Sequence, residues 1–183
     1  MALMESIGVP LGSSAHDFSL PDVSGKMLGL HDFSDAKVLV VIFMCNHCPY
    51  VKACIERLVK LQGDFIDQSV RFVGINSNDS ANYPEDSFAA MQEFSKERNM
   101  NFPYLHDETQ EVAKIYEAQC TPDIYVYDQE QKLRYHGRID DNWKDISRVK
   151  REELREALSA LVDGREVASA QPPSMGCSIK WKV

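Results

Sequence analysis

No stretch of this 183-residue chain approaches the roughly 20 apolar residues a membrane-spanning helix needs, so no membrane segment is expected. Cations are short as well: 20 Lys and Arg stand against 28 Asp and Glu, a net charge of −8. A nucleic-acid or anionic-membrane surface needs clustered Lys and Arg to displace counterions. The nearest approach, SRVKREELRE at 147–156, alternates bases with acids and reads as a solvated helix face. Cysteines are few and odd in number, namely Cys45, Cys48, Cys54, Cys120 and Cys177. In a chain too large to need disulfide staples, five thiols point to a reducing cytoplasm. MALMESIGVPLGSS lacks the positive start and apolar core of a signal peptide, in keeping with that expectation. There is no repeat and no composition shift. With 44% apolar residues the chain is expected to form one domain over 1–183, with a tail from about 165 packing on it.

What is present is an alternation of strand and helix patterns. Residues 1–36 read as irregular, with PDVSGK and LHDFSDAK framing a short hairpin. KVLVVIFM (37–44) is a continuous β-branched run, the mark of a strand covered on both faces. Residues 48–62 follow helical spacing, with Val51, Ile55, Leu58 and Val59 on one side and Pro49 tolerable only in the first turn. RFVGINSN reads as the next strand and SFAAMQEFSKERN as a helix, while NFPYLHD is short and extended. Asp107 is positioned to cap a helix over 108–119, with Val112, Ile115, Tyr116 and Gln119 sharing a face. DIYVYD and KLRYHGRI form a hairpin around QEQ, and 147–164 forms a closing helix ended by Gly164 and started by Asp145 or Ser147. This order predicts an α/β fold with two parallel central strands, a right-handed crossover and an antiparallel hairpin at one side.

The chemistry is concentrated in MCNHCPY (44–50). Two thiols spaced C-x-x-C where a strand hands over to a helix can close a small ring. Unpaired backbone N–H groups and the helix dipole there favour a sulfur anion. Cys45 is the expected nucleophile and Cys48, one turn deeper, the expected resolving thiol. His47 is expected to stabilise the thiolate further; the plainer reading is a solvated histidine. A zinc site would need ligands beyond this pair, and Cys120 and Cys177 stand alone, although four thiols converging in the fold would make a Cys₄ set. Thr121-Pro122 leads straight into a strand. A cis bond there would turn the backbone toward the dithiol, where it could pair with an extended partner chain, and an ordinary trans turn is the alternative.

Together the layout, the C-x-x-C at 45–48 and the Thr-Pro at 121–122 resemble the thioredoxin-like superfamily. The N-terminal extension, an insertion over about 79–106 before the penultimate helix, and the strings CTPDIYVYD and YHGRIDDNW resemble its peroxiredoxin-like, alkyl-hydroperoxide-reductase-related branch. The resemblance implies a central mixed sheet flanked by helices, Cys45 as nucleophile, Cys48 as resolving thiol, and Pro122 as a cis-proline beside them. It implies thiol–disulfide exchange with a protein disulfide or dithiol partner, with no cofactor beyond the redox-active disulfide and no metal. Alternatives are a thiol-dependent hydroperoxide reductase acting on a small peroxide, and a metal-binding or redox-sensing module. Departures weaken the peroxide reading. In the peroxiredoxin pattern P-x-x-x-T-x-x-C, Val41 and Cys45 stand in the places of the proline and threonine, and Pro122 takes that of the helper arginine. Relative to thioredoxins, Met44 replaces the tryptophan and Leu39 the buried acid, leaving His47 or a loop carboxylate as proton acceptor.

Three thiols remain. Cys54 is expected in the core. Cys120, two residues before Pro122, is either a third redox thiol or a small buried hydrophobe. The tail REVASAQPPSMGCSIKWKV carries apolar residues that should dock. It is expected either to bring Cys177 near Cys45 or Cys120 as a disulfide relay, or to act as a strap with an incidental thiol.

Overall fold

The computed structural model describes residues 3–183, so the first two positions of the expected irregular lead lie outside the described residues. Short strands come first: β1 (Leu3–Glu5), then the hairpin of β2 (Ser19–Pro21) and β3 (Met27–Gly29). The expected hairpin is therefore present, and β1 is an addition to the expected irregular lead.

The buried run becomes β4 (Val38–Phe43), every residue of it buried. It is followed by helix α1 (Pro49–Phe65), β5 (Val70–Asn76), α2 (Phe88–Glu97) and β6 (Tyr104–His106). Then come α3 (Glu111–Ile115), the two-residue β7 (Cys120–Thr121), β8 (Asp123–Asp128), β9 (Leu133–His136), α4 (Glu153–Val162) and β10 (Met175–Ser178).

The central sheet has the order β6-β5-β4-β8-β9. β4 and β5 are parallel, Val38 opposite Val70, and β8 runs antiparallel to β4 with β9 outside it. This is the mixed sheet the sequence predicts, widened by β6, which adds to β5 in parallel. One apolar layer packs α1 and α4 on one face through Val51, Ile55, Leu58, Leu154 and Leu158. A second layer, with Phe43, Tyr116, Tyr125 and Val112, covers the other. A β-branched strand sandwiched this way loses most of its apolar surface to the interior, which explains why the 37–44 run shows no alternation.

Two helices differ from expectation. α4 starts at Glu153, not at 147, because the backbone of 149–152 is held by Asp141: its carboxylate accepts from the Lys150 amide and its own amide donates to the Arg151 carbonyl. Asp145 caps the short 3₁₀ turn Ile146–Arg148 instead. α3 keeps five of the twelve expected residues, and Ile115 faces solvent while Val112 and Tyr116 are buried. Asp107 does cap it, from outside the helix: its carboxylate accepts from the Ala113 amide at 2.9 Å and from the Ser77 hydroxyl at 2.8 Å.

The second sheet had no counterpart in the sequence reading. β10 lies between β1 and β7, antiparallel to both, with Cys177 opposite Leu3 on one side and Thr121 on the other. Ile179 is buried and the Ile179 amide donates to the Gln119 carbonyl, so the tail docks as an integral strand.

Candidate functional site: a row of three thiols

β4 ends at Phe43 and α1 begins at Pro49, so the C-x-x-C segment forms the link between them. Cys48 is the N-cap residue of α1, with extended backbone angles. Cys45 lies a full turn ahead of the helix. This corrects the expected placement, in which Cys45 opens the helix and Cys48 lies deeper. The first amides of α1 are therefore directed at Cys48, and the electrostatics follow.

Cys48 is held down to about 5. The S–H of Cys45 is the largest influence, burial opposes it, and the Thr121 hydroxyl, the Val51 amide and the S–H of Cys177 add to it. The Cys45 thiol is pushed well up, first because its proton is given to Cys48, then by burial and by the negative charge of Asp86. Cys45 also exchanges a hydrogen bond with the Thr121 hydroxyl at 3.5 Å. When protonated, Cys48 donates to the Thr121 carbonyl at 3.1 Å. Thr121 thus serves both sulfurs, and the Thr121–Pro122 bond is cis. Both thiols are covered, Cys45 being 1% and Cys48 0% exposed.

His47 is brought beside Cys45, but not as a lone cation. Its Nδ1 bonds the buried Asp86 carboxylate at 2.5 Å, and its ring stacks on Tyr83 with 5.6 Å between centroids. Asp86 raises the His47 pKa, against burial, and the resulting ion pair leaves little net positive charge for a neighbouring sulfur. Asp86 also accepts from the Asn78 side chain at 2.7 Å and from the Asn46 amide at 2.7 Å. The sequence offers His47 or a loop carboxylate as proton acceptor; the structure pairs the two, Asp86 in NYPED being the loop carboxylate bonded to His47. Its signal was weak because PED also serves as an ordinary 3₁₀ turn.

Cys45, His47 and Asp86 form the group of metal-capable side chains that converges among the described residues, with ligand atoms within 4.8 Å of one another. The fold therefore does not assemble a Cys₄ set. A cation there would have to compete with the His47 and Asn78 donors already on Asp86.

Cys120 is fully buried in β7. Its sulfur donates to the Pro122 carbonyl at 3.6 Å, and burial pushes its pKa up. Cys54 is in the core and is pushed up to about 12 by burial. Cys177 is delivered by β10 against Cys48, with which it shares a hydrogen bond, where the sequence offered either a relay with Cys45 or Cys120 or a strap with an incidental thiol. On the Pro122 side of the site a cavity of about 160 Å³ opens between Tyr50, Trp143 and Met175. Its aromatic wall is the Tyr50–Trp143 pair, 4.1 Å between centroids.

A crystal structure of an uncharacterized conserved protein from Geobacillus kaustophilus is 45% identical with a TM-score of 0.94, covering 100% of this chain and 97% of that one. The thioredoxin domain of a thiol-disulfide oxidoreductase from Bacteroides vulgatus has a TM-score of 0.60 at 19% identity, over 69% of this chain and 86% of that one, and shows the thioredoxin-like fold. The thiol-disulfide oxidoreductase ResA of Halalkalibacterium halodurans is 24% identical over 128 residues, 70% of this chain and 65% of that protein. The similarity thus spans a little under two thirds of that relative's length. The family model described as AhpC/TSA matches residues 11–136, a stretch that holds Cys45, Cys48, Thr121 and Pro122 and ends before β10. By that match, on a thioredoxin-like sheet with the paired cysteines at the head of α1, the chain belongs to the AhpC/TSA family.

Proposed function

We propose that this protein is a thiol–disulfide oxidoreductase in which Cys48 attacks a partner disulfide and Cys45 resolves the mixed disulfide. The observation that carries the reading is the contact between the two sulfurs at the N-terminus of α1, with the charge on Cys48. The order of attack is the reverse of the one expected from sequence. It follows from the hydrogen bonds around the pair: the thiolate is the attacking species, and Cys48 is the thiol kept ionised, first by the Cys45 S–H and then by the Thr121 hydroxyl and the Val51 amide. Cys45, protonated and in contact, is placed to close the ring once Cys48 is blocked. The His47–Asp86 pair adjoins Cys45 and is the group to take its proton. ResA, the relative named above, is a thiol-disulfide oxidoreductase by name, which supports the same reading.

The proposal includes a protein disulfide or dithiol as partner, a single domain, no cofactor beyond the dithiol, and a cytoplasmic setting supported by the cysteine usage. No helix among the described residues is long and apolar enough to cross a membrane. Peroxide reduction is the second reading, favoured by Cys48 at the helix start. Against it, the donors around Cys48 are two thiols, the Thr121 hydroxyl and an amide, with Cys45 in the place of the pattern's threonine and no arginine among them.

The test is insulin-type disulfide reduction measured beside peroxide consumption for wild type, Cys45→Ser and Cys48→Ser. Cys48→Ser should abolish disulfide reduction, and Cys45→Ser should slow it while still forming partner adducts on Cys48. Full reductase activity in Cys48→Ser would overturn the reading, and peroxide turnover without disulfide reduction would favour the second one.

A further inference from the structure

The sequence predicts that an extended partner chain would pair with the backbone before Pro122, and in this fold that backbone is already paired. β10 lies antiparallel on β7, Cys177 opposite Thr121 and Ser178 opposite Cys120. Adding an extended strand to a sheet edge is a general way for a peptide to be recognised, because main-chain bonds give affinity and alternate side chains point into the site. The register here directs the Cys177 side chain inward, and its sulfur shares a hydrogen bond with Cys48. The strand is seated closely: a Cβ on Gly176 would run into the Thr121 carbonyl. The tail therefore occupies the place of a bound cysteine peptide, with its own thiol at the position of the partner's.

Accepting Cys48 as the attacking sulfur, we propose that Cys177 is a second resolving thiol, which clears a mixed disulfide from Cys48 by forming a Cys48–Cys177 bond within the chain. The steps balance without any further oxidant. The Cys48 thiolate attacks a partner disulfide R–S–S–R′, forming Cys48–S–S–R and releasing R′–S⁻, which takes the proton of Cys177. The Cys177 sulfur then attacks Cys48 Sγ, the Cys48–Cys177 bond forms, the bond to R breaks, and R–S⁻ leaves and is protonated by water. The partner gains two electrons and the two thiols of this chain lose them.

In the resting protein Cys177 is pushed up to about 12, first by burial and then by its bond to Cys48 and the charge on Cys48. The last two influences vanish once Cys48 carries a partner, so the thiol is quiet at rest and becomes more readily ionised when it is needed. Cys120, whose sulfur donates to the Pro122 carbonyl, and Cys54, buried in the core, have no such hydrogen bond with Cys48.

The full chain carrying Cys45→Ser isolates this step. Reduced protein treated with oxidised glutathione should lose its glutathione adduct spontaneously and yield a Cys48–Cys177-linked peptide on mass mapping. Adding Cys177→Ser, or Cys177→Ala in parallel, should slow that clearance at least about tenfold and leave the adduct on Cys48. Wild type, which carries no substitution, should yield both the Cys45–Cys48 and the Cys48–Cys177 bond. An adduct equally long-lived with and without Cys177, or a Cys45–Cys48 bond alone in wild type, overturns the proposal while leaving the dithiol reading intact. If Cys48 takes up no glutathione in any form, the dithiol reading itself fails and this proposal with it.

Discussion

At the scale of the residue, the question is which sulfur holds the charge. Cys48 is held down to about 5 and Cys45 is pushed up, so the absorbance of thiolate near 240 nm should rise through a step centred near pH 5 in wild type. Cys48→Ser should remove that step. Cys45→Ala should move it to higher pH, because the largest influence on Cys48 is the Cys45 S–H. A step that survives in Cys48→Ser and disappears in Cys45→Ser would reverse the assignment.

The His47–Asp86 pair makes a second prediction at this scale, with a pH window. Asp86 raises the His47 pKa, so the histidine's share of the stabilisation is complete below the unfolded value of about 6.5 and fades as pH rises through the folded one. For Asp86, burial is the largest single influence and opposes ionisation, but the donors His47, Asn78 and Asn46 together outweigh it and the pKa is lowered. Its share is therefore complete above the unfolded value of about 3.9 and is lost as pH falls through the folded one. Thermal unfolding of wild type against Asp86→Asn should differ most between about pH 4 and 6.5, by about 1–3 kcal/mol. A difference that does not vary with pH would mean the two groups are not an ion pair.

Among the elements, those with strong periodic or β-branched patterns were legible. β4, β5, α1, α2 and the β8–β9 hairpin fall where the sequence places them, because Val38–Phe43 and the Val51, Ile55, Leu58 spacing each allow one way of burial. The start of α4 was not legible. A polar, helix-prone stretch at 147–152 is claimed by Asp141, a tertiary bond that local propensity cannot reveal. β10 was not legible either, since MGCS follows a Pro-Pro spacer and has no strand pattern of its own; its partners are β1, 174 residues away at the Leu3–Cys177 pair, and β7, 56 residues away at the Thr121–Cys177 pair. The candidate site was half legible. Cys45, Cys48, Thr121 and Pro122 came together as expected, whereas the start of α1 at Cys48 and not at Cys45, and Asp86 behind His47, depend on contacts made in three dimensions.

Gly176 tests the seating of β10. It has no side chain where the Thr121 carbonyl comes closest, so Gly176→Ala must push β10 away from β7. A close-packed site charges about 1–3 kcal/mol for such an insertion. The expected result is a lower melting temperature together with faster alkylation of Cys48 by iodoacetamide in the native state, since the thiol is covered in wild type. Unchanged alkylation at reduced stability would show that β10 is not what covers Cys48.

At the scale of the whole molecule, the first and last strands of the described chain meet over the dithiol. β1 is exposed along its length, while the middle of β10 is buried and the tail is further anchored by Ile179 and by the Lys180 carbonyl, which accepts from Asp79 and Gln110. β1 therefore contributes little to the core and mainly edge hydrogen bonds to β10, so its removal should loosen the cover without unfolding the central sheet. With both sulfurs almost inaccessible, a protein disulfide needs a larger opening than a small one does. Truncation through Glu5 should accordingly leave far-UV circular dichroism unchanged and raise reduction of insulin more than reduction of a small aromatic disulfide. A loss of about 1.4 kcal/mol in docking corresponds to about a tenfold gain in the opened population, and hence in the insulin rate when opening limits it. Equal acceleration of the two substrates would place the barrier elsewhere than in the strand that β1 holds down, and no acceleration of either would show that β10 stays closed on β7 alone.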